Sequence, residues 1–126
     1  MTRERDERGN ALSVLIVLLI PALIVMIGLV VDGGGRLSAE RRAESVAADV
    51  ARAATDARIR GGEPAARAAA EQRLRAAGVD GTVDVGAGWV TVHTTVGYRP
   101  VFLSLIGVDD LPGRGEARAR LVPVGP

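Results

Sequence analysis

The hydrophobic pattern along the chain changes rhythm in stages. Residues 1–10 (MTRERDERGN) are polar and charged, and residues 11–31 (ALSVLIVLLIPALIVMIGLVV) carry no charge at all. At about 1.5 Å per residue, a helix over that run measures roughly 31 Å, the thickness of a bilayer hydrocarbon core. Ser13 is its only polar side chain, and a helical serine can return its hydroxyl to a carbonyl one turn back. Pro21 lies near the middle; membrane helices tolerate proline with a local kink. A cleaved signal peptide fits less well. Its apolar core is shorter and is followed by a small-x-small site, whereas here Asp32-Gly33-Gly34-Gly35-Arg36 follows and Leu37-Ser38-Ala39 puts a bulky residue where a small one is needed. A buried helix in a soluble protein fits less well still, because the remaining residues could not cover it on every side.

From 36 to 60 the rhythm becomes helical and amphipathic. Leu37, Ala39, Ala43, Val46, Ala47, Val50, Ala54 and Ala57 recur at spacings of mostly three and four, with the charges largely off that face. The stripe is mostly alanine, so it buries little area but admits a close neighbour. Asp56 and Arg60 have the spacing of an i,i+4 ion pair. Gly61-Gly62 ends this helix, Glu63-Pro64 starts another, and "AARAAAEQRLRAA" (65–77) continues it up to Gly78. The two read as a helical hairpin.

Then the period drops to two. "TVDV" (82–85) and "WVTVHTTVGY" (89–98) alternate and are rich in β-branched residues, with a Gly-Ala-Gly turn between them. Val90, Val92, Thr94, Val96 and Tyr98 share one face; Trp89, Thr91, His93 and Thr95 share the other. "PVFLSLIGV" (100–108) reads as a short helix laid over the sheet, and "VDDLPGRG" (108–115) as a loop. "EARARLVPV" (116–124) reads as a third strand, with Ala117, Ala119 and Leu121 inward and Pro123 at its end.

The fold class that follows is α+β. A long N-terminal transmembrane helix continues into an amphipathic helix, followed by a second helix and a small antiparallel sheet of about three strands. The divisions are a charged head (1–10), the transmembrane helix (11–31), the Ala-rich helix (32–60) and a small α+β domain (61–126).

Composition narrows the function classes. Aromatic residues are 2% of the chain, so its core is built from Val, Leu, Ile and Ala. Net charge is +1 and the signs are mixed, which leaves no electrostatic footprint for nucleic acid. All 16 basic residues are arginine, as a high-GC coding bias produces. Cysteine is absent, which removes disulfides, thiolate metal sites and a cysteine nucleophile. His93 is the sole histidine and has no second histidine or cysteine to share a metal. Asp109-Asp110 lacks the acidic spacing of a calcium loop. Gly33-Gly34-Gly35 lacks the strand and the Lys-Ser/Thr of a phosphate cradle. "LPGRG" resembles a sortase signal without its threonine. Enzyme activity would require a carboxylate site drawn from Asp80, Asp84, Asp109 and Asp110. The expectation is a non-enzyme with no catalytic, cofactor-binding or metal-binding residues. Three arginines precede the apolar run (Arg3, Arg5, Arg8) and three follow it closely (Arg36, Arg41, Arg42), so the positive-inside rule leaves orientation tied.

A charged head, Arg8-Gly9, an uncharged run closing in "GLVVDGGGRL", and then "AERRAESVAADVARAA" occur in that order. Together they resemble the TadE/TadG-like proteins of bacterial tight-adherence (Flp) pilus systems over about residues 7–57. The tail, with its "VTV" strand, the "VFLSLIGV" segment and "ARARLVP", resembles short actinobacterial members. The resemblance implies a single-pass protein of the cytoplasmic membrane with its N-terminus inside and its C-terminal domain outside. Its partners would be the membrane, other pilin-like or Tad secretion proteins, and a prepilin peptidase cutting between Gly9 and Asn10. It implies an accessory role, as a minor pilin or assembly protein. The alternative is an uncleaved single-pass protein with an extracytoplasmic binding module and no pilus role.

One position departs from the pilin pattern. The fifth residue after the cut is usually Glu in pilin-like proteins, where it meets the charged N-terminus of a neighbour inside an apolar filament core. Here it is Val14. An unpaired charge in such a core is costly, and Val14 offers no compensation for one. That disfavours a major pilin.

Overall fold

The computed structural model describes residues 2–120, with side chains from Glu4 onward. Its elements are a helical run α1 (Thr2–Ala77), strands β1 (Asp80–Val85) and β2 (Trp89–Tyr98), a single 3-10 turn (Leu103–Ile106), and strand β3 (Leu111–Arg120). The α+β class stands: one long apolar N-terminal helix and a three-stranded antiparallel sheet in the order β1-β2-β3.

Helix α1 passes through the apolar run, Pro21 and the three glycines without interruption. The second helix expected from the sequence is not a separate element. The run instead kinks at one non-helical residue, Gly62, with φ 77° and ψ −164°, a backbone region that in practice only glycine occupies. In a straight helix residues 49 and 73 would stand about 36 Å apart. Arg73 Nη1 lies 3.4 Å from Asp49 Oδ2, so the run folds back on itself at Gly62. The expected Asp56–Arg60 pair does not close; the i,i+4 pairs that form are Arg36–Glu40 at 3.4 Å and Glu63–Arg67 at 3.5 Å.

The core lies where the sheet meets both arms of this bend. Ala47, Val50, Ala51 and Ala54 come from the first arm, Ala66, Ala70 and Leu74 from the second, and Val90 and Val92 from β2. Of the stripe expected from sequence, Ala39, Ala43, Ala47, Val50 and Ala54 are buried and only Leu37 is exposed; Ala51 joins the buried face and completes a row of alanines, Ala39, Ala43, Ala47 and Ala51, at every fourth residue.

Strand β3 corrects the sequence reading. "LPGRG" is its first half and not a loop, and of the expected loop only Val108, Asp109 and Asp110 remain outside it. The strand is described as far as Arg120, and Leu121 and Pro123, expected within it, lie outside the described residues. The physical reason is the approach of the helix. A Cβ on Gly113 would stand 2.6 Å from the Glu40 nitrogen, and one on Gly115 would overlap the backbone of Ala43 and Glu44. Two residues of strand rise about 6.7 Å and four of helix about 6 Å. The pairs Gly113/Ala39 and Gly115/Ala43 therefore stay in step, with backbone set against backbone. Glycine here is a packing residue, and its turn-like composition hid the strand. Strand β1 likewise starts two residues before its "TVDV" segment, at Asp80.

Candidate functional site: the stem and its junction with the sheet

An 18-residue window within the N-terminal part of α1 has a mean hydropathy of 3.3, and its large side chains from Leu12 to Val31 are exposed. Among residues 11–31 only Gly28 is buried. The stem thus offers an unpartnered apolar surface around nearly its whole circumference, and this fits a single-pass membrane anchor. Gly9, Asn10 and Val14 all lie exposed on this helix. The Ser13 hydroxyl donates to the Gly9 carbonyl at 2.8 Å, as expected of a serine one turn along. That carbonyl belongs to the Gly9–Asn10 peptide bond.

At the C-terminal end of the stem the chain makes a second, polar attachment. Asp32 is fully buried. Its Oδ1 accepts from the amide of Val101 at 2.8 Å, its Oδ2 from that of Leu103 at 2.7 Å, and both oxygens from Phe102 at 3.3 and 3.0 Å. A helical turn begins with amides that have no partner within the turn. Here a carboxylate from another element supplies the missing acceptor, with the added strength of a charged group. The ring of Phe102 lies on Gly28, where a Cβ would come within 2.7 Å of it, and the ring of Tyr98 fills the space a Cβ on Gly35 would take. The segment 100–108 therefore does not lie over the sheet, as its apolar pattern suggested; among the described elements, the 3-10 turn within it packs on α1. Sequence reasoning missed Asp32 as a structural residue. Its only signal was a lone carboxylate ending an uncharged run.

The outer face of the sheet carries the remaining polar groups. His93 is half exposed and stands 3.8 Å from Glu116 across the ladder. Arg118 and Arg120 approach the Trp89 ring at 5.7 and 5.5 Å from its centroid, within the range of cation–π attraction. Asp80 and Asp84 are exposed on β1, and Asp109 and Asp110 precede β3. Among the described residues, no three acidic or histidine side chains come together as metal ligands. At the far end of the sheet Arg58 donates to the carbonyls of Gly86 and Ala87 (the latter at 3.2 Å) and ties the β1–β2 turn to α1.

No curated protein and no solved structure matches the chain. A family model does, and its limits fall on the features just described. It begins at the glycine before Asn10, takes in the apolar stem, Asp32 and the alanine row, and ends four residues before the kink at Gly62. The tail, residues 59–126, lies outside the match. Residues 9–58 match the family model of putative Flp pilus-assembly TadE/G-like proteins.

Proposed function

We propose that this chain is a membrane-anchored, pilin-like accessory component, a minor pilin or assembly protein, of a tight-adherence (Flp-type) pilus or a related secretion system. It works by helix packing and protein–protein contact and not by catalysis. The observation that carries this reading is the coincidence of the family match with the exposed stem and the alanine row beneath the sheet. The apolar stem docks in the bilayer or against pilin stems. The bent helix and sheet, held rigidly at its outer end, present a surface to partners outside the cell, and the charged head stays in the cytoplasm.

In this reading a prepilin peptidase cuts between Gly9 and Asn10. Both residues are helical and exposed, so the local helix must unwind to enter a protease. Val14 in place of the pilin Glu argues against a major subunit. It also favours the second reading, an uncleaved anchor bearing an extracytoplasmic binding module. Intact mass of the membrane-extracted protein, with and without co-expressed prepilin peptidase, separates the two. Loss of residues 1–9 only when the peptidase is present supports processing; the full-chain mass in both samples would sink it. Protease digestion of the sheet domain in spheroplasts tests orientation, and protection there would overturn an outward-facing domain.

A further inference from the structure

Residues 99–110 leave the end of β2 and return to the start of β3 after hanging down along the stem. Tyr98 packs at Gly35 and Phe102 at Gly28, seven residues back along α1 and within the apolar run, which is a descent of about 10 Å along the helix axis. Within this excursion three large apolar side chains are exposed. Val101 is 60% exposed, Leu105 81% and Ile106 76%. Exposed apolar residues scattered singly need no explanation; three within six residues do. The segment is also well built. Ser104 donates to the Val101 carbonyl at 2.9 Å, Val108 donates to Leu103 at 3.1 Å, and Gly107 closes the turn with φ 91°. Asp32 fixes the other end.

We propose that this loop is a second membrane contact, in which Val101, Leu105 and Ile106 dip into the outer interface of the bilayer beside the stem. The inference rests on residues 11–31 spanning that bilayer. Gly28 lies three residues, about 4.5 Å, inside the end of the uncharged run. A ring seated on Gly28 is therefore at the depth of the hydrocarbon edge, and the turn that follows it must be near the same depth. The charge distribution draws the same boundary. Beyond Asp32 the first charge on α1 is Arg36, and the loop between Arg99 and Asp109 carries no charge. Asp32 lies at the boundary itself, but its carboxylate is fully buried and bonded to three amides, so it meets no lipid. Interfacial apolar elements bury roughly 5–10 Å into the headgroup and acyl boundary. Stem and loop together give the sheet two points of attachment, which restrains its tilt and its rotation about the stem.

Nitroxide labels on single introduced cysteines test this in the full chain, which has no cysteine of its own. The protein is reconstituted in phosphatidylethanolamine–phosphatidylglycerol liposomes with labels at Leu105→Cys, Thr95→Cys and Val25→Cys. Accessibility to oxygen and to a water-soluble nickel chelate is then compared. The proposal expects Leu105 to show an oxygen-to-nickel ratio several-fold above that of Thr95 on the outer sheet face, approaching that of Val25. A Leu105 label as open to nickel as Thr95, with Val25 in lipid, overturns the loop contact and leaves the span standing. A Leu105 label shielded from both reagents and immobile means that a second protein copy covers the loop, and this also overturns the proposal. A water-exposed Val25 overturns the span and the loop contact together.

Discussion

Gly115 of β3 rests on the Ala43 turn of α1 with no side chain between them. Directly across the ladder, Thr94 donates its hydroxyl to the Ala43 carbonyl at 2.6 Å. The closest approach of sheet and helix is thus set by a missing side chain on one strand and a buried hydroxyl on the next. Gly115→Ala must push the strand off the helix or distort it, and overpacking of this kind costs about 1–3 kcal/mol. Urea unfolding in detergent, followed by the single tryptophan, Trp89, is expected to show that loss. Arg114→Ala, one residue away and exposed, is expected to stay within about 0.5 kcal/mol of the parent.

Thr94→Val tests the other half of the same contact. The two side chains have nearly the same shape, so packing is kept and the hydroxyl alone is lost. The Ala43 carbonyl keeps its helical bond, which limits the cost to that of an ordinary buried hydrogen bond, about 0.5–1.5 kcal/mol. A larger loss, or none at all, in the same unfolding measurement would show that the 2.6 Å bond is not what seats β2 on the helix.

These contacts also explain how far the sequence could be read. The stem was legible because 21 uncharged residues have one physical reading at that length. Strand β2 was legible because its Val and Thr residues alternate over ten positions, and the burial of Val90, Val92 and Thr94 against the exposure of Trp89, His93 and Thr95 follows that alternation. Strand β3 was half hidden. Gly113 and Gly115 occupy inward positions, where alternation needs a hydrophobic side chain to be visible, but the helix backbone leaves no room for one. The position of the 100–108 segment was hidden for another reason. Its apolar residues predict burial, and nothing local shows that Asp32, nearly 70 residues earlier, holds it beside the stem. The packing and processing roles proposed for Gly9, Asn10 and Val14 depend on partners, and the fold places these residues only on an exposed helix.

The bend at Gly62 is expected to be intolerant of any side chain. Its φ of 77° with ψ −164° belongs to a region that costs other residues on the order of 1–3 kcal/mol. Gly62→Ala therefore disfavours the fold-back that brings Ala66, Ala70 and Leu74 into the core. Gly61, next to it, has no such backbone conformation. Limited proteolysis between residues 58 and 66 is expected to accelerate in Gly62→Ala, and an unchanged rate would mean that the kink relaxes without strain.

Leu74 is the largest core side chain on the returning arm and is 7% exposed. Most of the surrounding core is alanine and valine, which cannot spread to fill a hole. Leu74→Ala is expected to cost about 2–5 kcal/mol, a large share of the stability of a small domain. The same measurement on Leu37→Ala, which sits exposed on α1, is expected to show little change. That contrast separates the buried face of the helix from Leu37, the one exposed member of the expected stripe.

Asp32 separates local from global stability. Its carboxylate serves the amides of Val101, Phe102 and Leu103, and the 3-10 turn that follows packs on no strand. Asp32→Ala leaves three donors without their acceptor. Hydrogen bonds to a charged group are worth about 1.5–3 kcal/mol, so exchange of these amides with solvent deuterium is expected to speed up by about tenfold or more, since 1.4 kcal/mol is a factor of ten in an equilibrium. Amides of Val90 and Val92 in the core should exchange as in the parent protein, because the sheet's own contacts with α1 are untouched. Asp32→Asn keeps the shape and one acceptor oxygen, but turns an N–H₂ group toward the remaining donors, so its exchange rates should approach those of the alanine variant. If Asp32→Ala instead accelerates the Val90 and Val92 amides as strongly as those of residues 101–103, the carboxylate supports the whole outer fold and is not a local clasp between stem and loop.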